Sequence, residues 1–148
     1  MTTTTINQFA IKGLGLRSMD KLIHFVKQLN PNKTEELLRN RLSQMLGFDN
    51  YQCFGFYKED KLIGMIGCWT FIKIYSGKQL AIDNVIIDAH LQSKGYGTQL
   101  LNLIETWAKN NKYESIELDA YLANNRAHKF YFGRGHKILG FHMYKKLQ

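Results

Sequence analysis

The chain reads as a mixed α/β domain, with a central, mostly antiparallel sheet, one parallel strand pair and about four flanking helices. Three observations predict it. Residues 51–57, 62–74 and 79–87 are apolar, strand-like runs separated by the polar turns Lys58-Glu59-Asp60-Lys61 and Tyr75-Ser76-Gly77-Lys78, the pattern of an antiparallel meander. Residues 98–109 place Leu100, Leu101, Ile104, Trp107 and Ala108 on one stripe of a helix. The next strand, 115–120, comes only after that helix, and a helical crossover between strands favours parallel pairing.

Residues 1–5, Met1 and four threonines, read as a polar tail with no reason to be ordered, and 6–11 as a short first strand. Ser18 is a suitable N-cap for a helix carrying Leu22, Val26 and Leu29, which Asn30-Pro31 ends. Thr34, followed by Glu35 and Glu36, opens a second helix. A hydroxyl cap with acidic residues in the first turn complements the helix dipole. Leu38, Leu42 and Met45 form its stripe and Gly47 closes it. After the meander, the helix 98–109 and the strand 115–120, a helix over about 124–132 and a C-terminal strand with Ile138, Phe141 and Met143 complete the sheet. A length of 148 residues with one proline and no repeat or linker predicts one domain, 1–148.

With 45% apolar and 22% charged residues the composition is that of a globular protein. No apolar run reaches the eighteen or so residues of a membrane span, and threonines after Met1 do not resemble a signal peptide. A cytoplasmic protein is expected. Cys53 and Cys68 sit in apolar strand-like runs, lack metal-ligand spacing and read as buried, packed thiols. The five histidines are scattered, so no metal is expected. The net charge of +8 is local: from Arg126 onward six lysines and arginines meet no acidic residue, which leaves 14 basic residues against all 12 acidic ones. A local excess without a nucleic-acid motif argues against a nucleic-acid binder and suits either an anionic cofactor or a solvated face.

The strand at 79–87 runs into Gln92-Ser93-Lys94-Gly95-Tyr96-Gly97 and then Thr98 and the helix. Strand, glycine-rich loop and helix is the order of an anion site. Glycines 95 and 97 permit positive φ and close backbone approach, the amides continue into the free donors of a helix N-terminus, and Lys94 adds charge. Alone, such a loop is more often a plain turn. A second constellation, Asn124-Asn125-Arg126-Ala127-His128-Lys129-Phe130-Tyr131, follows the strand at 115–120. By itself it reads as an Asn-capped amphipathic helix with an aromatic anchor, stopped by Gly135.

Together, at this separation and on these elements, the two segments resemble the GNAT superfamily of acetyl-CoA-dependent N-acetyltransferases. The pattern Q/R-x-x-G-x-G/A is matched at Gln92, Gly95 and Gly97, and N-x-x-A-x-x-F-Y at Asn124, Ala127, Phe130 and Tyr131. His136 departs from the aromatic residue common after the following glycine. The resemblance covers about 79–141, and the order of elements extends it to the whole chain. It implies that Gln92, Ser93, Lys94, Gly95, Tyr96, Gly97 and Thr98 hold the pyrophosphate of coenzyme A, and that Ile86 and Ile87 offer backbone to the pantetheine arm where their strand splays from its parallel partner. It also places Asn124 and Ala127 beside that arm and Tyr131 near the sulfur, as acid toward the leaving thiolate.

The family has no universal base. Asp83, the one carboxylate inside an apolar strand, reads either as a buried or water-linked base or as a structural, solvent-facing aspartate; Asp119 is a weaker candidate. The implied partners are acetyl-CoA and an amine acceptor, small molecule or protein, with no membrane and a homodimer left open. The resemblance implies that 18–47 borders the acceptor site, and the +8 charge disfavours a polycationic acceptor unless an acidic patch involving Glu35, Glu36 or Asp49 forms. The rival reading is an acyl-CoA-binding sensor or partner module without turnover, against which Tyr131 argues.

Overall fold

The computed structural model describes residues 2–148. The elements are β1 (Thr3–Ile6), β2 (Phe9–Leu14), α1 (Met19–Leu29), α2 (Glu35–Leu46), β3 (Tyr51–Lys58), β4 (Lys61–Lys73), β5 (Gly77–Ile87), α3 (Tyr96–Asn110), β6 (Ser115–Leu118) and α4 (Asn125–Gly133). One six-stranded sheet runs in the order β1-β2-β3-β4-β5-β6. The first five strands pair antiparallel, and β5 and β6 form the parallel pair. The chain divides into two compact units, one up to Glu117 and one over Leu118–Gln148.

In the first unit the sheet is packed on both faces. Leu22 and Phe25 of α1 and Leu42 of α2 form one core cluster with Tyr51, Cys53, Met65 and Ile86. Leu100, Leu101, Leu103 and Ile104 of α3 are fully buried, and Trp107 packs edge-on against Phe54 of β3 at 4.9 Å. Each such leucine or isoleucine contributes about 1.5–3 kcal/mol of burial, so α3 is anchored by its stripe rather than by its termini. Thr34 caps α2 as its sequence predicts, accepting from the Leu37 amide at 3.3 Å. Ser18 precedes α1 without a side-chain cap bond.

Two expectations are corrected. Residues 3–5 belong to β1, in register with β2 from Thr3 opposite Lys12 to Ile6 opposite Phe9; Met1 lies outside the described residues. Threonine is β-branched and favoured in strands, and an edge strand needs a ladder on one side only, so polarity was a poor guide to disorder. The expected C-terminal strand is absent among the described residues: 136–148 is irregular, with Ile138, Phe141 and Met143 exposed. Apolar spacing alone does not make a strand, because its backbone groups need a partner ladder.

Candidate active site

β5 ends at Ile87, and the Asp88 amide donates to Ile63 O at 2.9 Å, which fixes where the chain leaves the sheet. After a single 3-10 turn, Ala89–Leu91, Gln92 Nε2 reaches back to Ile87 O at 3.2 Å and ties the loop to the strand end. Ser93 (φ +66°) and Gly95 (φ +78°) are left-handed. Gly95 is the N-cap of α3 and no side chain caps the helix; its first helical bond runs from the Gln99 amide to Gly95 O. The amides of Tyr96, Gly97 and Thr98 therefore occupy positions that no helix carbonyl reaches, beside exposed Lys94. A Cβ on Gly95 would meet nothing within 4 Å, so the cradle opens to solvent and has room for a phosphate oxygen.

Gly97 corrects the sequence reading: it lies inside the first turn of α3 and is not left-handed. Lys58 is a residue the sequence reading missed. Its Nζ donates to Tyr96 Oη at 3.1 Å, and Phe9 holds the same ring edge-on at 5.4 Å, which brings a second cation to the loop. Lys58 sits in a run that reads only as a hairpin turn, with no signal for a contact across 38 positions.

Within β5, Ile82 pairs with Cys68 and Val85 with Ile66, so Asp83 and Asn84 face the single residue Gly67 across a bulge. Bulges redirect side chains next to functional sites. The Asp83 carboxylate is exposed and accepts from Trp69 Nε1 at 3.0 Å, so it is not a buried carboxylate. Beyond the bulge, β5 has eleven residues against four in β6, and the Glu114 amide meets Lys78 O just before β6 begins. Counted from that contact, 83–87, including Ile86 and Ile87, is the stretch by which β5 exceeds β6 in length.

In the second unit, Asn124 Oδ1 caps α4 by accepting from the Ala127 amide at 3.0 Å. Tyr131 is half-buried, 5.2 Å from the Phe130 ring and 5.4 Å from His136. Burial holds its hydroxyl above the usual tyrosine range, with Arg134 opposing. Phe130 is no more buried than Tyr131 and lies under the Arg134 guanidinium. Asp119 is exposed and paired with His142 at 3.0 Å.

Comparison with known proteins decides what these parts belong to. The profile of the acetyltransferase (GNAT) family matches residues 25–136. The chain belongs to the GNAT acetyltransferase family. It is 28% identical over 96 residues to the uncharacterised N-acetyltransferase YhdJ of Bacillus subtilis (strain 168), covering 65% of this chain and 68% of that one. In fold it is similar to a possible acetyltransferase from Clostridium difficile 630, with TM-score 0.76, 18% identity and coverage of 95% and 97% of the two chains. It is also similar to the aminoglycoside acetyltransferase AAC(6')-Iy in complex with a bisubstrate analogue of coenzyme A, with TM-score 0.77, 13% identity and coverage of 95% and 98%. As a GNAT protein the chain is an acetyl-CoA-dependent acetyltransferase.

In this GNAT chain a single arginine of α2 holds an acidic residue on each of α1 and α2. Arg39 bonds both Glu35 and Asp20 at 2.8 Å. A concavity of about 430 Å³ beside α1 gathers Asp20, Asp60 and Asp88, but Asp88 is already engaged by His24, His90 and Gln28. Cys53 and Cys68 are free and buried; burial pushes the Cys53 thiol up to about 12 and raises Cys68 as well. Among the described residues, no group of three or more His, Cys, Asp or Glu is placed to hold a metal, and no helix is long and apolar enough to cross a membrane.

Proposed function

We propose that the chain, acting as one domain in the cytoplasm, moves an acetyl group from acetyl-CoA to a primary amine by direct attack in a ternary complex. The observation that carries this reading is the left-handed Gly95 at the uncapped start of α3, tied to the end of β5 through Gln92. Free amides, a helix dipole and Lys94 suit a pyrophosphate, and backbone at Ile86 and Ile87 suits the amide groups of a pantetheine arm.

Acetyl-CoA supplies a thioester whose carbonyl carbon accepts the amine. The backbone amide at Ile86 or Ile87 would donate to the carbonyl oxygen as negative charge develops there. As the C–N bond forms and the C–S bond breaks, Tyr131 Oη gives its proton to the departing sulfur; its raised pKa keeps that proton in place at neutral pH. The attacking nitrogen loses its proton to Asp83 directly or through water, the exposed carboxylate oxygen being accessible to either. A homodimer is compatible with these roles and required by none of them.

A panel of amines screened for free-thiol release from acetyl-CoA tests this reading. At least one primary amine should give stoichiometric acetylation. Tight acetyl-CoA binding with no thiol release across the panel would favour the sensor module instead.

A further inference from the structure

The sheet face around Asp83 has a chemistry that the cofactor loop does not use. Trp69, whose indole N–H holds the Asp83 carboxylate, stands at the centre of a row of rings: Tyr51 at 4.7 Å, Phe48 at 5.7 Å and Phe71 at 6.4 Å, the last stacked at 18°. Phe48 is 56% and Phe71 39% exposed. Asp83 makes no ion pair among the described residues, although the protein carries an excess of eight positive charges. The Tyr51 hydroxyl lies over Gly67, opposite the bulge, where a Cβ would come within 2.3 Å of it. It is buried and unpartnered, with Asn84 beside it but closing no bond of good geometry.

An exposed carboxylate, fixed by an indole and flanked by ring faces, is complementary to a cation on an apolar body. Ring quadrupoles attract an ammonium group, and the carboxylate neutralises it. We propose that Phe48, Tyr51, Trp69, Phe71 and Asp83 form the acceptor seat, and that the acceptor is a monocationic primary amine carried on an aromatic or alkyl body. This rests on the acetyltransferase reading above and narrows it. The ammonium lies against Asp83 and the apolar body covers Phe48 and Phe71. A polycation is the poorer occupant, because the rings reward desolvation of a single charge. The acidic concavity beside α1 is the weaker rival, because Asp20 and Asp88 already have partners.

Binding of phenethylammonium, measured by calorimetry with and without saturating coenzyme A, tests the seat apart from turnover. Phenethylammonium should bind at least ten-fold more tightly than neutral 2-phenylethanol and more tightly than spermidine. Trp69→Leu should weaken it about five- to thirty-fold, the range of one cation–π contact, and Phe71→Leu about two- to five-fold through lost apolar contact, the Phe71 ring already carrying Lys73 Nζ at 5.9 Å. Asp83→Asn should abolish the preference over 2-phenylethanol. Near-UV circular dichroism establishes that each variant is folded. If the wild type binds phenethylammonium while it does not bind acetyl-CoA, the seat stands and the cofactor reading fails. The seat is overturned by no phenethylammonium binding in either condition, by spermidine binding most tightly, or by wild-type affinity in both Trp69→Leu and Asp83→Asn.

Discussion

Replacing Gly95 and Gly97 in turn separates conformation from contact in the loop at 92–98, where the pyrophosphate is proposed to bind. Gly95 has φ +78° and a Cβ there meets open space, so Gly95→Val clashes with nothing in the protein and acts through its backbone. A residue with a Cβ in the left-handed region costs about 1–2 kcal/mol, and a β-branched one is a genuine outlier there. At about 2–4 °C per kcal/mol for a chain of this size, Tm should fall by about 2–8 °C. Gly97 is helical, where losing glycine is worth up to about 1 kcal/mol in the opposite sense, so Gly97→Val should leave Tm within about 2 °C of the wild type. Both variants should weaken acetyl-CoA binding about ten-fold or more, the first by redirecting amides and the second by crowding them. Thermal denaturation and calorimetry on the same samples give both readings. Equal Tm losses would refute the conformational distinction, and unchanged acetyl-CoA affinity in both variants would refute the loop's role.

Tyr131→Phe keeps the ring and removes the proton; turnover on an identified acceptor should fall about 10²–10⁴-fold with acetyl-CoA affinity little changed, whereas full activity in the folded variant returns Tyr131 to packing. Because its pKa is raised, the alkaline loss of wild-type turnover attributable to this group should lie above pH 10. Asp83→Asn should lower turnover at neutral pH and less so at high pH, where free amine is abundant; a uniform loss would point to binding alone. The buried thiols make stability fall with alkali: the native state keeps the protons of Cys53 and Cys68 while the unfolded state releases them near pH 9, so stability declines from about pH 9 toward 12. The slope reaches about 1.4 kcal/mol per pH unit per thiol, and urea titrations of a Cys53→Ala, Cys68→Ala double variant should show it flattened. Gly64→Ala places a Cβ 2.4 Å from Ile86 O; forcing β4 from β5 should cost about 1–3 kcal/mol and lower cofactor affinity, both absent if the strands can part freely.

The meander, the α3 stripe and the crossover were legible because each is a local periodicity with turn residues at its ends. The strand–loop–helix junction at 92–98 was legible in position but only half in conformation: the sequence offers two glycines and the fold uses one of them in the left-handed region, with Ser93, a residue whose type gives no warning, as the second left-handed position. β1 was lost because an edge strand needs no apolar face, and the C-terminal strand was over-read because apolar spacing says nothing of a partner. Lys58 at the loop and Trp69 at Asp83 were invisible in the sequence. Lys58 meets Tyr96 only through the placement of the α3 N-terminus beside the end of β3, and Trp69 meets Asp83 only through the register of β4 on β5; a single sequence encodes neither as a motif.

Backbone amide chemical shifts, followed as acetyl-CoA is titrated into isotopically labelled protein, test most directly where the cofactor sits. The expected result is perturbation concentrated at residues 92–98, at Ile86 and Ile87, and at 124–131, with the Gly95 and Tyr96 amides moving most. Perturbation confined to α1 and α2, or none at saturating acetyl-CoA, would contradict it.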